Sequence, residues 1–236
     1  MVIRGIHKVS LVDFPGNICA TVFVSGCNMR CPYCHNRDLV LEPEGLPAIA
    51  GEEVLEFMVK RKGLLDGVCI TGGEPTLQKD ISIFTGRVKE MGFKVKLDTN
   101  GSNPRVLGQL LKSGLLDYVA MDIKAPPDRY REVTRSRVNP EDIQASVYLL
   151  MTGNIDYEFR TTVVPGLITE EYLLSIAGWL AGARKYVLQQ YKPGAALEAA
   201  FAVRHPYDAC RLKAMAERVE GYFTKVEVRG ASGDGS

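Results

Sequence analysis

The hydrophobic positions of this chain change period many times along its length. Short runs rich in Val, Ile, Phe and Tyr give way to longer stretches in which apolar residues recur three and four apart, and then the short runs return. The runs predict strands over 18–25, 68–71, 94–98, 118–124, 157–164 and 186–190, with a last strand near 225–229. The longer stretches predict helices over 51–62, 79–91, 104–112, 140–151, 170–180 and 206–219. Two helix starts carry clear signals: Asn103 before Pro104 and Asn139 before Pro140 each join a capping side chain to a proline suited to the first turn.

Alternation of this kind implies parallel strands joined by helical crossovers. About six β/α units fit, fewer than the eight of a closed barrel, so the expected fold is α/β, a partial (split) parallel β/α barrel. Residues 1–230 are read as a single domain and 231–236 as a disordered tail. A doubly wound sheet is the competing architecture, but no G-x-G-x-x-G follows the first strand. The chemically loaded segments all fall at the C-terminal ends of predicted strands, the face on which parallel barrels bind substrates.

Composition narrows the function classes. The 236 residues are 46% hydrophobic and 24% charged with a formal net charge of +1, which advertises neither nucleic acid nor an anionic membrane as partner. Arg4, Lys8 and Asp13 interrupt the N-terminal segment and no apolar run is long enough to span a bilayer, so the cytoplasm is the expected location. Six cysteines without an export signal do not read as three disulfides. Cys19 and Cys69 fall in apolar runs as small buried hydrophobes, Cys210 falls in a helix, and His7 and His205 read as ordinary surface or packing residues.

The remaining three, Cys27, Cys31 and Cys34, are spaced C-x3-C-x2-C directly after a strand, with Pro32 arguing for a loop. Soft thiolates suit an iron–sulfur cluster or zinc. Three thiolates on a cubane would leave one iron open, whereas an electron carrier uses four. Zinc would need His35 as its fourth ligand, and adjacent Cys34 and His35 would struggle to converge on one ion. Further along, Gly72 and Gly73 before Glu74 and Pro75 allow backbone carbonyls to approach an ammonium group, or simply start a helix. Asp122 and Lys124 share one strand face, costly unless paired, functional or at a solvated strand end. Arg160 is suited to carboxylate capture or to solvent, and Asn100-Gly101 reads equally as a turn.

The segment Cys27-Asn28-Met29-Arg30-Cys31-Pro32-Tyr33-Cys34 resembles the cluster loop of the radical S-adenosylmethionine (SAM) superfamily, whose pattern is C-x3-C-x-aromatic-C. His35-Asn36-Arg37-Asp38 is similar to the activating enzymes of glycyl radical enzymes, including the pyruvate formate-lyase activator. Leu11-Val12-Asp13-Phe14-Pro15-Gly16 most resembles the anaerobic ribonucleoside-triphosphate reductase activating proteins, and the likeness covers nearly the whole chain. The resemblance implies a 4Fe–4S cluster on Cys27, Cys31 and Cys34 with S-adenosylmethionine on the open iron. It implies cofactor contacts from Tyr33, Gly72, Gly73, Glu74, Asp98, Asp122, Lys124 and Arg160, and a monovalent cation near Asp98, Thr99 and Asp122.

The chemistry implied is reductive cleavage of S-adenosylmethionine to a 5′-deoxyadenosyl radical that takes hydrogen from a partner's glycine, with no side chain as general acid or base. The expected partner is a glycyl radical enzyme, first an anaerobic ribonucleotide reductase, with flavodoxin or ferredoxin as electron donor. The alternatives are activation of pyruvate formate-lyase or another glycyl radical enzyme, or action on a small molecule such as a deazapurine precursor. No cysteine-rich insertion follows Asn36, which argues against extra ferredoxin-like clusters.

Overall fold

The β-branched runs become the strands of one sheet. In the computed structural model, which describes residues 1–41 and 43–231, these are β1 (Ile3–Ser10), β2 (Cys19–Val24), β3 (Gly67–Gly72), β4 (Lys94–Thr99), β5 (Tyr118–Asp122), β6 (Asp156–Val163), β7 (Lys185–Gln190) and β8 (Lys225–Arg229). The helices are α1 (Arg37–Leu41), α2 (Gly51–Val59), α3 (Ile81–Glu90), α4 (Pro104–Lys112), α5 (Tyr130–Thr134), α6 (Pro140–Thr152), α7 (Glu170–Trp179), α8 (Ala199–Ala202) and α9 (Ala209–Glu217). The two caps form as expected: the Asn103 side chain accepts from the Val106 amide and Asn139 from that of Glu141.

The sheet runs β1-β2-β3-β4-β5-β6-β7-β8, with β1 antiparallel to β2 and every later pair parallel. Strand order never reverses, so right-handed crossovers put the helices on one face and create no switch point. That topology excludes the doubly wound alternative. Among the described residues β8 does not pair back to β1, and the α/β barrel is open, as expected.

Two kinds of element escaped the sequence pattern. β1 carries register shifts between Ile3 and Gly5 and between His7 and Ser10, so its side chains do not alternate cleanly. Helices α1, α5 and α8, of four or five residues, are too short to display a period. Of the expected disordered tail, residues 232–236 lie outside the described residues.

The two faces of the sheet differ in chemistry. Val22, Ile70, Leu97, Met121, Phe159 and Leu188 are fully buried and belong to the main core with Val54, Met58, Val88, Leu107 and Ile143 from the helices. Residues of the opposite parity face inward: Thr21, Cys69, Thr71, Lys96, Asp98, Asp122, Glu158 and Arg160. The N-terminal end of this polar interior is plugged by the loop after β1. Phe14, 2% exposed, packs there with Cys19 and Cys69 against Tyr118. Cys19 and Cys69 are buried, as expected, but Cys69 Sγ lies 3.7 Å from Asp98 and 3.6 Å from Lys96 and so meets polar groups; Cys210 is exposed on α9.

Candidate active site

The cysteine loop is sutured to the end of β3. Beyond β2, the Gly73 amide donates to the Val24 carbonyl and the Glu74 amide to that of Gly26, both at 2.8 Å. Both glycines are required by this approach. Gly72 has φ +110°, and a Cβ there would lie 2.6 Å from the Val24 oxygen; at Gly73 it would collide with the Gly26 carbonyl. The Gly72 carbonyl accepts from Asn36 Nδ2 at 2.7 Å, tying the far side of the loop to the same glycine pair.

Glu74, expected to contact the cofactor, is not among the residues that line the cavity described below. Its carboxylate is fully buried. It accepts from the Thr76 amide (3.0 Å), Thr76 Oγ1 (2.6 Å), Thr99 Oγ1 (2.7 Å) and the Asn100 amide (2.6 Å). Burial pushes its carboxyl up despite those donors. Its physical part is to brace the β3 and β4 loops against each other. From the β4 loop, Asn100 Nδ2 donates to Asn28 Oδ1 at 3.0 Å, and Asn28 in turn donates to Ser102. The Asn100-Gly101 turn therefore also holds the cysteine loop.

Below these loops lies a chain of charges. Lys96 pairs with Asp98; the other oxygen of Asp98 accepts from Arg160 at 3.1 Å; Arg160 Nε donates to Asp122 at 2.8 Å; and Lys124 donates to the second oxygen of Asp122 at 2.9 Å. Burial would raise the Asp122 carboxyl, but Arg160 and Lys124 draw it far below the usual carboxylate range. Burial would likewise lower the Lys124 ammonium, and Asp122, with Tyr33 and Cys31 nearby, holds it well above its ordinary value. Arg160, expected to capture a ligand carboxylate or face solvent, is instead shared between two protein carboxylates.

These segments enclose a cavity of about 370 Å³ lined by Cys27, Cys31, Tyr33, Cys34, Gly72, Gly73, Asp98, Asp122, Lys124 and Arg160. All the candidate residues except Glu74 thus meet in one place. The lining also includes Asp13, Thr71, Gln189 and Lys192, for which the residue chemistry alone gave no signal. Asp13 enters from the plug loop, where it accepts from Thr21 Oγ1 at 2.6 Å.

The three thiols suit a cubane cluster. Burial pushes Cys27 up to about 11, opposed by the Met29 amide, and Cys31 up to about 12, opposed by Lys124. Cys34 is raised by burial and opposed by the Asn36 amide. Unliganded, they are neutral near pH 7, and a metal must displace the protons. Amides aimed at the sulfurs and a nearby ammonium are the features that stabilise cluster thiolates. In a cubane each thiolate takes its own iron.

Comparison with known proteins gives the family and the fold. Residues 21–180 match the model of the radical SAM superfamily. Over 239 residues, 98% of this chain and 97% of the relative, the sequence is 36% identical to a protein of Methanocaldococcus jannaschii named as a glycyl-radical enzyme activating enzyme. It is 31% identical over 172 residues to the pyruvate formate-lyase 1-activating enzyme of Escherichia coli K12, covering 70% of this chain and 68% of that one. In three dimensions it resembles Streptococcus suis SuiB bound to its precursor peptide, with a TM-score of 0.71 and 16% identity. That match covers 90% of this chain but 48% of SuiB, and at this identity it speaks for the fold alone.

Proposed function

The chain belongs to the radical SAM superfamily and its glycyl-radical-enzyme activating group, and from that premise we propose that it abstracts hydrogen from a glycine of an anaerobic ribonucleoside-triphosphate reductase. The observation that carries the reading is the meeting of Cys27, Cys31 and Cys34 with Gly72, Gly73 and Lys124 around one cavity. Cys27, Cys31 and Cys34 would hold a 4Fe–4S cluster, and three protein ligands would leave room on it for S-adenosylmethionine. Such a cluster, once reduced, would supply the electron for reductive cleavage of S-adenosylmethionine. Gly72 and Gly73 offer unobstructed backbone to the cofactor's ammonium group, and Lys124 offers its own ammonium to the cofactor's carboxylate.

Asp122 and Arg160 fix Lys124, while the Phe14 plug closes the interior to water from the opposite end. A monovalent cation between Asp98 and Asp122 is the weaker part of the expectation, because Arg160 already bridges them. The open side of the sheet, where β8 does not close back to β1, is the side from which a partner's glycine loop would reach the cavity. Flavodoxin or ferredoxin is the proposed electron donor. No helix among the described residues is long and apolar enough to cross a membrane.

The partner rests on the Leu11–Gly16 segment. A second reading, activation of pyruvate formate-lyase, is favoured by the 31% identity to the Escherichia coli enzyme. Mixing the reduced protein and S-adenosylmethionine with each candidate decides between them. The expected result is an electron paramagnetic resonance doublet on the reductase that collapses when its glycine is deuterated at Cα, with the label recovered in 5′-deoxyadenosine. A doublet on the lyase alone would transfer the assignment to that partner. Turnover of a small purine precursor with no protein radical would remove both.

A further inference from the structure

Lys96 lies outside every motif that marks the cavity, yet it is 2% exposed at the deep end of the charge chain. It stands on β4 two residues before Asp98, one layer deeper in the barrel, on the face opposite to the buried side chains of Val95 and Leu97. Its ammonium bonds one oxygen of Asp98 and lies 3.6 Å from Cys69 Sγ. The other oxygen of Asp98 takes Arg160 at 3.1 Å and Thr71 Oγ1 at 3.4 Å. Beyond Arg160 the chain passes through Asp122 to Lys124, so positive and negative groups alternate over five residues from three adjoining strands and the loop after β5.

We propose that Lys96 is a positioning residue for the cofactor, balancing Asp98 so that Arg160 stays shared with Asp122 and Lys124 keeps its place beside the cysteines. The physical argument is one of competition. Arg160 is held by two carboxylates, and the stronger claim belongs to whichever is less neutralised by other partners. Lys96 serves Asp98 as Lys124 serves Asp122, and the balance keeps the guanidinium in the middle. Without Lys96, Asp98 is a buried carboxylate with one cationic partner, and it draws Arg160 off Asp122. Asp122 is then left to Lys124 alone, which pulls that ammonium away from the cofactor carboxylate. Methionine would fill the same space with less desolvation, so packing alone does not call for an ammonium there.

The inference rests on the radical SAM reading of the cavity, and the test separates the two. Wild type, K96M, D98N and K96M/D98N are reconstituted anaerobically and compared by iron content, by the S-adenosylmethionine dissociation constant and by crystal structure. K96M is expected to keep its iron but to bind S-adenosylmethionine about tenfold more weakly, the scale of coupling seen within one ion-pair network. Its Arg160–Asp122 hydrogen bond is expected to be lost. In the D98N background, where no unbalanced carboxylate competes for Arg160, the same Lys96 substitution is expected to cost less than about twofold. Equal losses in both backgrounds would show that Lys96 merely fills space, and unchanged binding in K96M would also overturn the proposal. If the wild type took up no iron or bound no S-adenosylmethionine, the functional reading would fall, while the Arg160–Asp122 distance in K96M would still decide the positioning role.

Discussion

At Glu74 a carboxylate with no exposure to water accepts four hydrogen bonds from Thr76, Thr99 and Asn100. A side chain so committed carries information about neighbouring loops and not about a ligand, and its partners 25 and 26 positions away are invisible to a local motif. The cysteines are the opposite case: donors crowded into eight residues reveal their chemistry by type and spacing alone. Replacing Cys27, Cys31 or Cys34 by Ala should abolish the brown colour and the roughly four irons per chain of a cubane cluster. Cys19→Ala and Cys210→Ala should keep both, since the former is buried beside Phe14 and the latter is exposed on α9. Colourless wild-type protein carrying stoichiometric zinc would defeat this assignment. Lys96 shows what a motif-led reading passes over. Lys94, Lys96 and Asp98 alternate along one strand, and that period-two charge pattern was available as a sign of a polar barrel interior.

Among the elements, the six long helices and seven parallel strands followed from the hydrophobic period, because each buries a regular apolar face. The segment before β2 did not. β1 is an edge strand with two irregularities, and the plug after it works through a single aromatic residue. Phe14 is the buried aromatic ring of that plug, packed with Cys19, Cys69 and Tyr118. Phe14→Ala should therefore cost about 3–5 kcal/mol of unfolding free energy, the range for removing a buried phenyl ring. Denaturant titration measures it, and a loss near zero would mean that the loop closes the interior by other contacts.

Across the whole molecule the later strands are joined by one buried carboxylate. Glu158 on β6 accepts from Tyr118 on β5 (3.0 Å), pairs with Lys185 on β7 (3.0 Å) and takes two bonds from Arg229 on β8 (2.8 and 3.1 Å). Burial would raise its carboxyl, but Arg229, Arg160 and Lys185 hold it down at about 2. A depressed folded-state value means stability that is complete above the ordinary value of 4.5 and is lost as the pH falls towards 2. The expected loss from this group is about 3 kcal/mol, and Glu158→Gln should flatten that acid limb while leaving the slope above pH 5 unchanged. Identical acid limbs for the two proteins would contradict it.

Because each strand pairs only with its predecessor in the chain, the sheet can be laid down in the order in which a ribosome emits it. The loop bearing Cys27, Cys31 and Cys34 emerges with the second strand, whereas the final strand ends at Arg229. At roughly 5–20 residues per second, about 10–40 s of synthesis separate the two. For most of that interval the thiols stand beside a half-built wall, before β7 brings Gln189 and Gln190 to the same cavity.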